Sequence, residues 1–393
     1  MVIAVGVFST VFANHARLAK LPLRAILKDD LGVPQETMAA FFALAGLASY
    51  LKPLAGALSD HVPLFGTRRR HYLLVSAFAG ATIWAVAAFV PPTHDCLLVT
   101  MIALNGALVL GNSALGGLIV DGGRANGATG RLSALKLTVT NGATLLAGPL
   151  GGWLAGRAFG FTCAIGVALL LALGGCVLAL ARAEPQRPVA PARAPEVARA
   201  LLRQLRSREF TAAALLYVAF HVAPGFGTPL YYQKNALSLS DQDIGWLGAL
   251  NCLGGILGAL CYPALCRRLN LGSLLVGGIL TYAGCMLLYL AYRSWEAALV
   301  LEGCSGFFCL LGILPLQHLA VRVSPAHSGA FGYALVLGLG NAAMALSDVM
   351  GTQLMARLDL GLPSMIGIAA AASAATVVLV AMLPAELLRE RER

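Results

Sequence analysis

Twelve stretches of roughly twenty apolar residues, set apart by short polar interruptions, constrain what this chain can fold into. They fall at about 4–27, 36–59, 72–90, 97–120, 132–156, 161–182, 210–233, 243–266, 273–292, 296–320, 329–355 and 363–383. At about 1.5 Å per residue, runs of this length match the ~30 Å hydrocarbon core of a bilayer. Hydrocarbon offers the backbone no hydrogen-bond partner, so such runs fold as helices that satisfy their own amides. The composition agrees: 58% of the 393 residues are hydrophobic and only 12% are charged, about half the charge of a soluble domain. Mean hydropathy is +0.78. Too little polar surface remains to coat a water-soluble globule. The expectation is an all-α polytopic membrane protein of twelve transmembrane helices, with the lipid bilayer as its main partner.

The apolar start, Met1 to Ala13, lacks the basic opening and the small-residue cleavage site of a signal peptide. It reads as part of the first membrane helix, which runs on through Asn14, His15, Arg17 and Lys20. Nine cysteines are scattered without a CxxC or Cys/His cluster, so no metal site is expected and the thiols read as small packing residues. No cofactor is expected. The Gly-rich "GGRANGATG", 122–130, lacks the Lys-Ser/Thr of a phosphate-binding loop. The net charge of +10 is explained by topology, with no need of a nucleic-acid partner.

One long polar interruption, "RAEPQRPVAPARAPEVARALLRQLRSREF" at 182–210, divides the spans six and six. Its Pro, Ala and Arg content reads as a solvated linker whose second half suits a surface helix. The expected organisation is an N-terminal half at 1–182, a linker at 183–209 and a C-terminal half at 210–393. Basic residues test this count. Eighteen Lys and Arg fall in the even-numbered loops, the linker and the tail, six lie on the opposite side, and four lie inside spans. By the positive-inside rule both termini are cytoplasmic, in a bacterial inner membrane or a plasma membrane.

The halves echo each other. The second span ends "GALSD" and leads to Arg68-Arg69-Arg70; the eighth holds "GALCY", Gly258 to Tyr262, and leads to Arg267-Arg268. Repeated halves are a transporter construction, with the substrate site near the midplane. Gly56-x-Leu58-x-Asp60 followed by Gly66-x-Arg68-Arg69-Arg70 resembles the signature of the major facilitator superfamily. The long loop, preceded by Lys52-Pro53, is similar to that of folate–biopterin transporters. So are "LKDDLGVP" at 27–34, "APGFGTPLYYQKNALSLSDQDIGWLGAL" at 223–250 and "GNAAMALSDVMG" at 340–351. Two departures leave substrate and ion coupling open: "PAHSGAFGYA" carries Ser328 where that family commonly has an acid, and Lys136 lies nearer the start of the fifth span than the family's cation.

The resemblance implies two six-helix pseudo-repeats in the major facilitator fold, and secondary active transport of a small solute by alternating access, coupled to an ion, the proton being expected. It also implies that a monomer suffices. Asp60 at the end of the second span is unfavourable by the macrodipole, by about 0.3–1 kcal/mol, and Arg68, Arg69 and Arg70 are its near partners. In family terms Gly56, Asp60, Gly66 and these arginines form a cytoplasmic gate, with Asp121 a second acid. The alternative is that they set topology and meet anionic lipid head groups.

Thr10, Asn14, Arg17 and Lys20 follow spacings of three and four, which places them on one face of a continuous helix. Cations facing lipid cost about 2.5–3.5 kcal/mol each, so Arg17, Lys20 and Lys52 are expected to line a cavity suited to an anionic, folate- or pterin-like substrate. Asn14 and Asn341 join them as binding candidates. Against this, Lys20 can snorkel to an interface and Arg17 can pair with an acid of the eleventh span. Asp348 is either a proton carrier or such a structural partner; Glu302 reads as structural. His221 is either coupled to the ion or a hydrogen-bonded packing residue. Pro224, Gly225, Gly227 and Pro229 interrupt the seventh span and read as an outer gate or a rigid kink. Tyr231, Tyr232 and Trp246 are either stacking residues or an interfacial belt.

Two other functions compete. Pigment-complex assembly proteins resembling the superfamily carry a similar loop, but such a factor has no need of a cationic cavity. A membrane enzyme would need an acid/base or metal cluster in its loops, and none is present in the sequence.

Overall fold

Each of the first two spans is interrupted close to a proline. The computed structural model describes residues 1–179, 199, 202–223, 225, 230, 237, 241–325 and 328–392. The continuous first helix expected from hydropathy is instead Val2–Phe12, a stretch of turns, Lys20–Ala25 and a π-helical turn Ile26–Asp30. Pro22 sits in the first turn of the Lys20–Ala25 helix, where a missing N–H costs nothing, and so fits a helix that restarts there; proline by itself does not dictate a break, since Pro149, Pro263 and Pro315 lie inside unbroken helices. The second span breaks likewise into Gln35–Ala45, a 3-10 turn Leu47–Leu51 and Lys52–His61. Pro53 sits in the first turn of that last piece, where a missing N–H costs nothing.

The freed backbone groups find partners. The indole of Trp84, fully buried, donates to the Ala13 carbonyl at 3.0 Å. Asn105 is 1% exposed and donates to the Ala45 carbonyl at 3.0 Å. Ser113 adds a second link to the same region, donating at 3.1 Å to the Lys52 carbonyl in the first turn of the restarted helix. Both breaks are thereby tied to the helices Arg70–Ala87 and His94–Ala125, as helix interruptions in a membrane require.

Beyond them the first six spans continue as Thr129–Ala155 and Phe159–Ala179. The second six are Arg208–Val222, Asp241–Arg268, Leu271–Leu288, Trp295–Val323, Gly329–Leu358 and Leu362–Ala375, the last extended by a 3-10 stretch Thr376–Met382, and a short helix Ala385–Arg389 follows. Three of these begin on side-chain caps, with Ser207, Asn270 and Ser294 accepting from the amides of Phe210, Ser273 and Ala297. Eight helices among the described residues are long and apolar enough to cross a membrane. Most of the linker expected at 183–209 lies outside the described residues; 202–205 is helical.

The chain packs as two compact units. One comprises Met1–Ile119, Gly142–Ala198 and His327–Ala334, the other Val120–Asn141, Arg199–Ala326 and Leu335–Arg393. In the first, Trp84 sits in an apolar core with Phe41, Leu97 and Leu104. In the second, backbone meets backbone: a β-carbon on Gly254 or Gly306 would lie 2.1 or 1.9 Å from a carbonyl oxygen of the facing helix. Small residues are what permit such close helix crossings in a membrane.

Trp84→Phe keeps the ring but leaves the Ala13 carbonyl without the indole donor. The expected cost is about 1–3 kcal/mol, read as a lowered unfolding temperature of the detergent-purified protein; an unchanged temperature would mean that another group serves that carbonyl.

Candidate functional site

The end of the Lys52–His61 helix holds a buried carboxylate. Asp60 is fully buried and lies 2.6 Å from Arg69 Nη2, itself 2% exposed; Arg68 Nη2 stands at 3.7 Å and is partly exposed. The second guanidinium nitrogen of Arg69 donates to Ser59 Oγ at 2.9 Å. Asp60 also accepts the amides of Ala330 at 3.3 Å and Phe331 at 2.8 Å. These are the first turn of Gly329–Leu358. An acid disfavoured at the end of its own helix is therefore held at the start of another, where the macrodipole reverses sign.

Two glycines admit this arrangement. A β-carbon on Gly56 would lie 2.7 Å from the Ala330 carbonyl oxygen, and one on Gly117 would lie 2.3 Å from the Arg69 guanidinium carbon. The connecting loop is a tight turn in which the amides of Leu64 and Thr67 each donate to the other's carbonyl at 3.0 Å. Phe65 and Gly66 both have positive φ, 49° and 79°, the signature of a type I′ turn. Tyr72 ties the loop down, donating to the Val62 carbonyl at 2.8 Å. Arg70 opens the next helix. Asp121 lies half-buried in His94–Ala125, in the unit that holds Arg124 and Arg131.

The break in the first span changes the spacing argument made from Thr10 to Lys20. These residues do not share one helix face, because turns replace the helix between Ala13 and Ala19. Thr10 is buried and donates back to the Gly6 carbonyl at 2.7 Å. Asn14 accepts the Ala16 amide at 2.9 Å and faces Asn105 at 3.4 Å. Arg17 and Lys20 are exposed, and Lys52 is half-buried at the start of its helix.

In the second unit, His221 and Asp348 line one cavity of about 310 Å³, together with Tyr282, Tyr289, Ser305 and Cys309. His221 Nδ1 donates to the Tyr217 carbonyl at 2.8 Å and its ring stacks on Tyr217 at 4.4 Å. Gly225 donates its amide to the Ser347 carbonyl at 3.0 Å, and the Ser347 hydroxyl donates to the Ala223 carbonyl, so the end of the seventh span is stitched to the eleventh. Pro224, Gly227, Pro229, Tyr231 and Tyr232 lie outside the described residues. Asn341 is exposed on Gly329–Leu358, and Trp246 is exposed on Asp241–Arg268. Buried Glu302 accepts from Asn251 at 3.2 Å and from Tyr289 and Tyr292 at 3.4 Å each.

Sequence reasoning missed Ser59, Gly117 and the amides of Ala330 and Phe331. Ser59 and Gly117 had a local signal, a polar and a small residue in apolar runs; a backbone amide from a distant helix has none.

Twelve successive helical spans with a buried acid–arginine junction after the second define a multi-pass membrane protein of carrier architecture. The sequence model of the Major Facilitator Superfamily matches residues 3–347, and the chain belongs to that superfamily. A folate–biopterin transporter from Synechocystis sp. is 24% identical over 361 residues, spanning 86% of this chain and 71% of that protein. Among solved structures, the human organic anion transporter MFSD10 (TETRAN) aligns with a TM-score of 0.76 at 16% identity, over 96% of this chain and 98% of that one. The fucose:proton symporter FucP of E. coli aligns with a TM-score of 0.72 at 13% identity, over 97% of each chain. These likenesses carry the fold.

Arg69→Ala strands a buried carboxylate and is expected to cost about 3–5 kcal/mol. Adding Asp60→Asn removes the charge left behind, so the double variant should lose less than the two single losses added. Thermal unfolding of the four proteins checks this; strict additivity would mean the pair is not coupled.

Proposed function

We propose that the protein is a secondary active transporter that moves a small organic anion, folate- or pterin-like, by alternating access coupled to protons. The likeness of 86% of the chain to a folate–biopterin transporter is the observation that carries this reading. Arg17, Lys20 and Lys52 supply the positive charge an anionic substrate needs, and arginine offers a bidentate fork for a carboxylate. Asn14 and Asn341 are the neutral contacts. The broken first and second spans support it further, because interrupted helices are where carriers of this kind build binding sites.

Asp348 and His221 are the proposed ion-coupling pair, and their common cavity supports the assignment. Asp60 with Arg68, Arg69 and Arg70, admitted by Gly56 and Gly66 and supplemented by Asp121, is the proposed cytoplasmic gate. Pro224, Gly225, Gly227 and Pro229 are the proposed outer gate, with both chain ends cytoplasmic.

Uptake of radiolabelled folate and pterin into proteoliposomes, under an imposed proton gradient, tests the reading. Uptake is expected to collapse with a protonophore and to fall roughly tenfold or more in Arg17→Ala, the scale of one lost charge-assisted hydrogen bond. A tight proton gradient with no uptake of any aromatic carboxylate would overturn the transport assignment and favour an assembly role.

Asp348→Asn separates coupling from binding. It is expected to abolish gradient-driven accumulation while leaving counterflow exchange of the same anion near its normal rate; equal loss of both would remove Asp348 from the coupling role.

A further inference from the structure

The pentapeptide echo between the halves fails at one position. Gly56-Ala57-Leu58-Ser59-Asp60 is answered by Gly258-Ala259-Leu260-Cys261-Tyr262, with a phenol in place of the carboxylate. Tyr262 is buried, and its hydroxyl lies 3.3 Å from His318 Nδ1. Asp60 serves the first amides of the eleventh span. The counterpart of the eleventh span in the other half is the fifth, Thr129–Ala155, and its start is not left without an acid.

Glu392, beyond the last span, fills that position. Its side chain is fully buried. One carboxylate oxygen accepts the Gly130 amide and, at 3.1 Å, the Thr129 hydroxyl. That oxygen lies 3.7 Å from His318 Nε2, and the other lies 3.7 Å from Arg131 Nε. Glu390 pairs with Arg322, and its carbonyl accepts the Leu271 amide at 3.1 Å. Gly130 makes room for the contact much as Gly56 does for Asp60: a β-carbon there would lie 2.6 Å from Cys266 Sγ and 2.8 Å from His318 Nδ1. A nearby arginine, a helix-start amide and an admitting glycine thus recur around Glu392, although it comes from a different part of the chain.

We propose that Glu392 is the acid of a second gate, supplied by the segment after the last span in place of the one that the eighth span lacks. It ties the start of the fifth span to the segment after the last span, which Glu390 in turn joins to Arg322 of the tenth, and releasing that helix start requires the segment around Glu392 to withdraw. The proposal rests on the gate reading of Asp60 and extends it to a second site.

Hydrogen–deuterium exchange on the purified full chain tests both separately. Glu392→Gln is expected to speed exchange at residues 129–133 roughly tenfold or more, the scale of one charge-assisted hydrogen bond, while residues 328–333 keep their rate. Asp60→Asn is expected to do the reverse, and Glu386→Gln, an exposed acid of the short helix that precedes Glu392, to change neither. A Glu392→Gln protein with unchanged exchange at 129–133, or with both regions accelerated alike, would overturn the second gate. Failure of Asp60→Asn to affect 328–333 would instead overturn the first. Should Glu392→Gln not fold, Thr129→Val removes a hydroxyl donor to the same carboxylate and must give the same selective change to a smaller extent; exchange at 129–133 unchanged in Thr129→Val overturns the second gate equally.

Discussion

A carboxylate buried in an apolar protein is tolerated only where charge and hydrogen bonds compensate its lost hydration, and Asp60 is compensated from two sides. Arg69 neutralises it at 2.6 Å, and the first amides of Gly329–Leu358 point at it. The geometry around it follows. Gly56 must be small for the two helices to meet, Gly117 must be small for the guanidinium to lie flat against its helix, and the type I′ turn at Phe65 and Gly66 brings Arg69 back within reach. A helix start held by one side chain is also a contact that can be broken as a unit, which is what a gate requires.

The same physics governs the broken spans. The first two spans are interrupted close to Pro22 and Pro53, and each interruption frees carbonyls that a bilayer cannot satisfy. Trp84 and Asn105 satisfy those of Ala13 and Ala45 from neighbouring helices. The result is irregular backbone, flanked by Arg17, Lys20 and Lys52, held by buried polar groups. Rigid support of this kind is what the proposed binding site needs if the three cations are to be held in a fixed arrangement.

Much of the architecture was legible in the sequence because a membrane converts length and hydropathy directly into helices. The acid–arginine junction was legible for a related reason: Asp60 and Arg69 lie close along the chain, so their pairing is nearly local. The first-span stripe was not legible. Spacings of three and four imply a shared face only on an unbroken helix, and turns replace the helix between Ala13 and Ala19. Glu392 had no signal in the sequence, since nothing near it names Gly130, Arg131 or His318 as its partners.

By itself, then, the sequence determined the number of spans, their membrane setting, the superfamily signature and the list of charged groups inside apolar runs. Each of these depends on composition and short-range spacing. Tertiary structure alone decided which groups meet: Asp60 with the amides of Ala330 and Phe331, the Gly225 amide with the Ser347 carbonyl, and Glu392 with the start of the fifth span. Those contacts join residues far apart in the chain, and they form only when close helix packing brings a donor and an acceptor within hydrogen-bond reach.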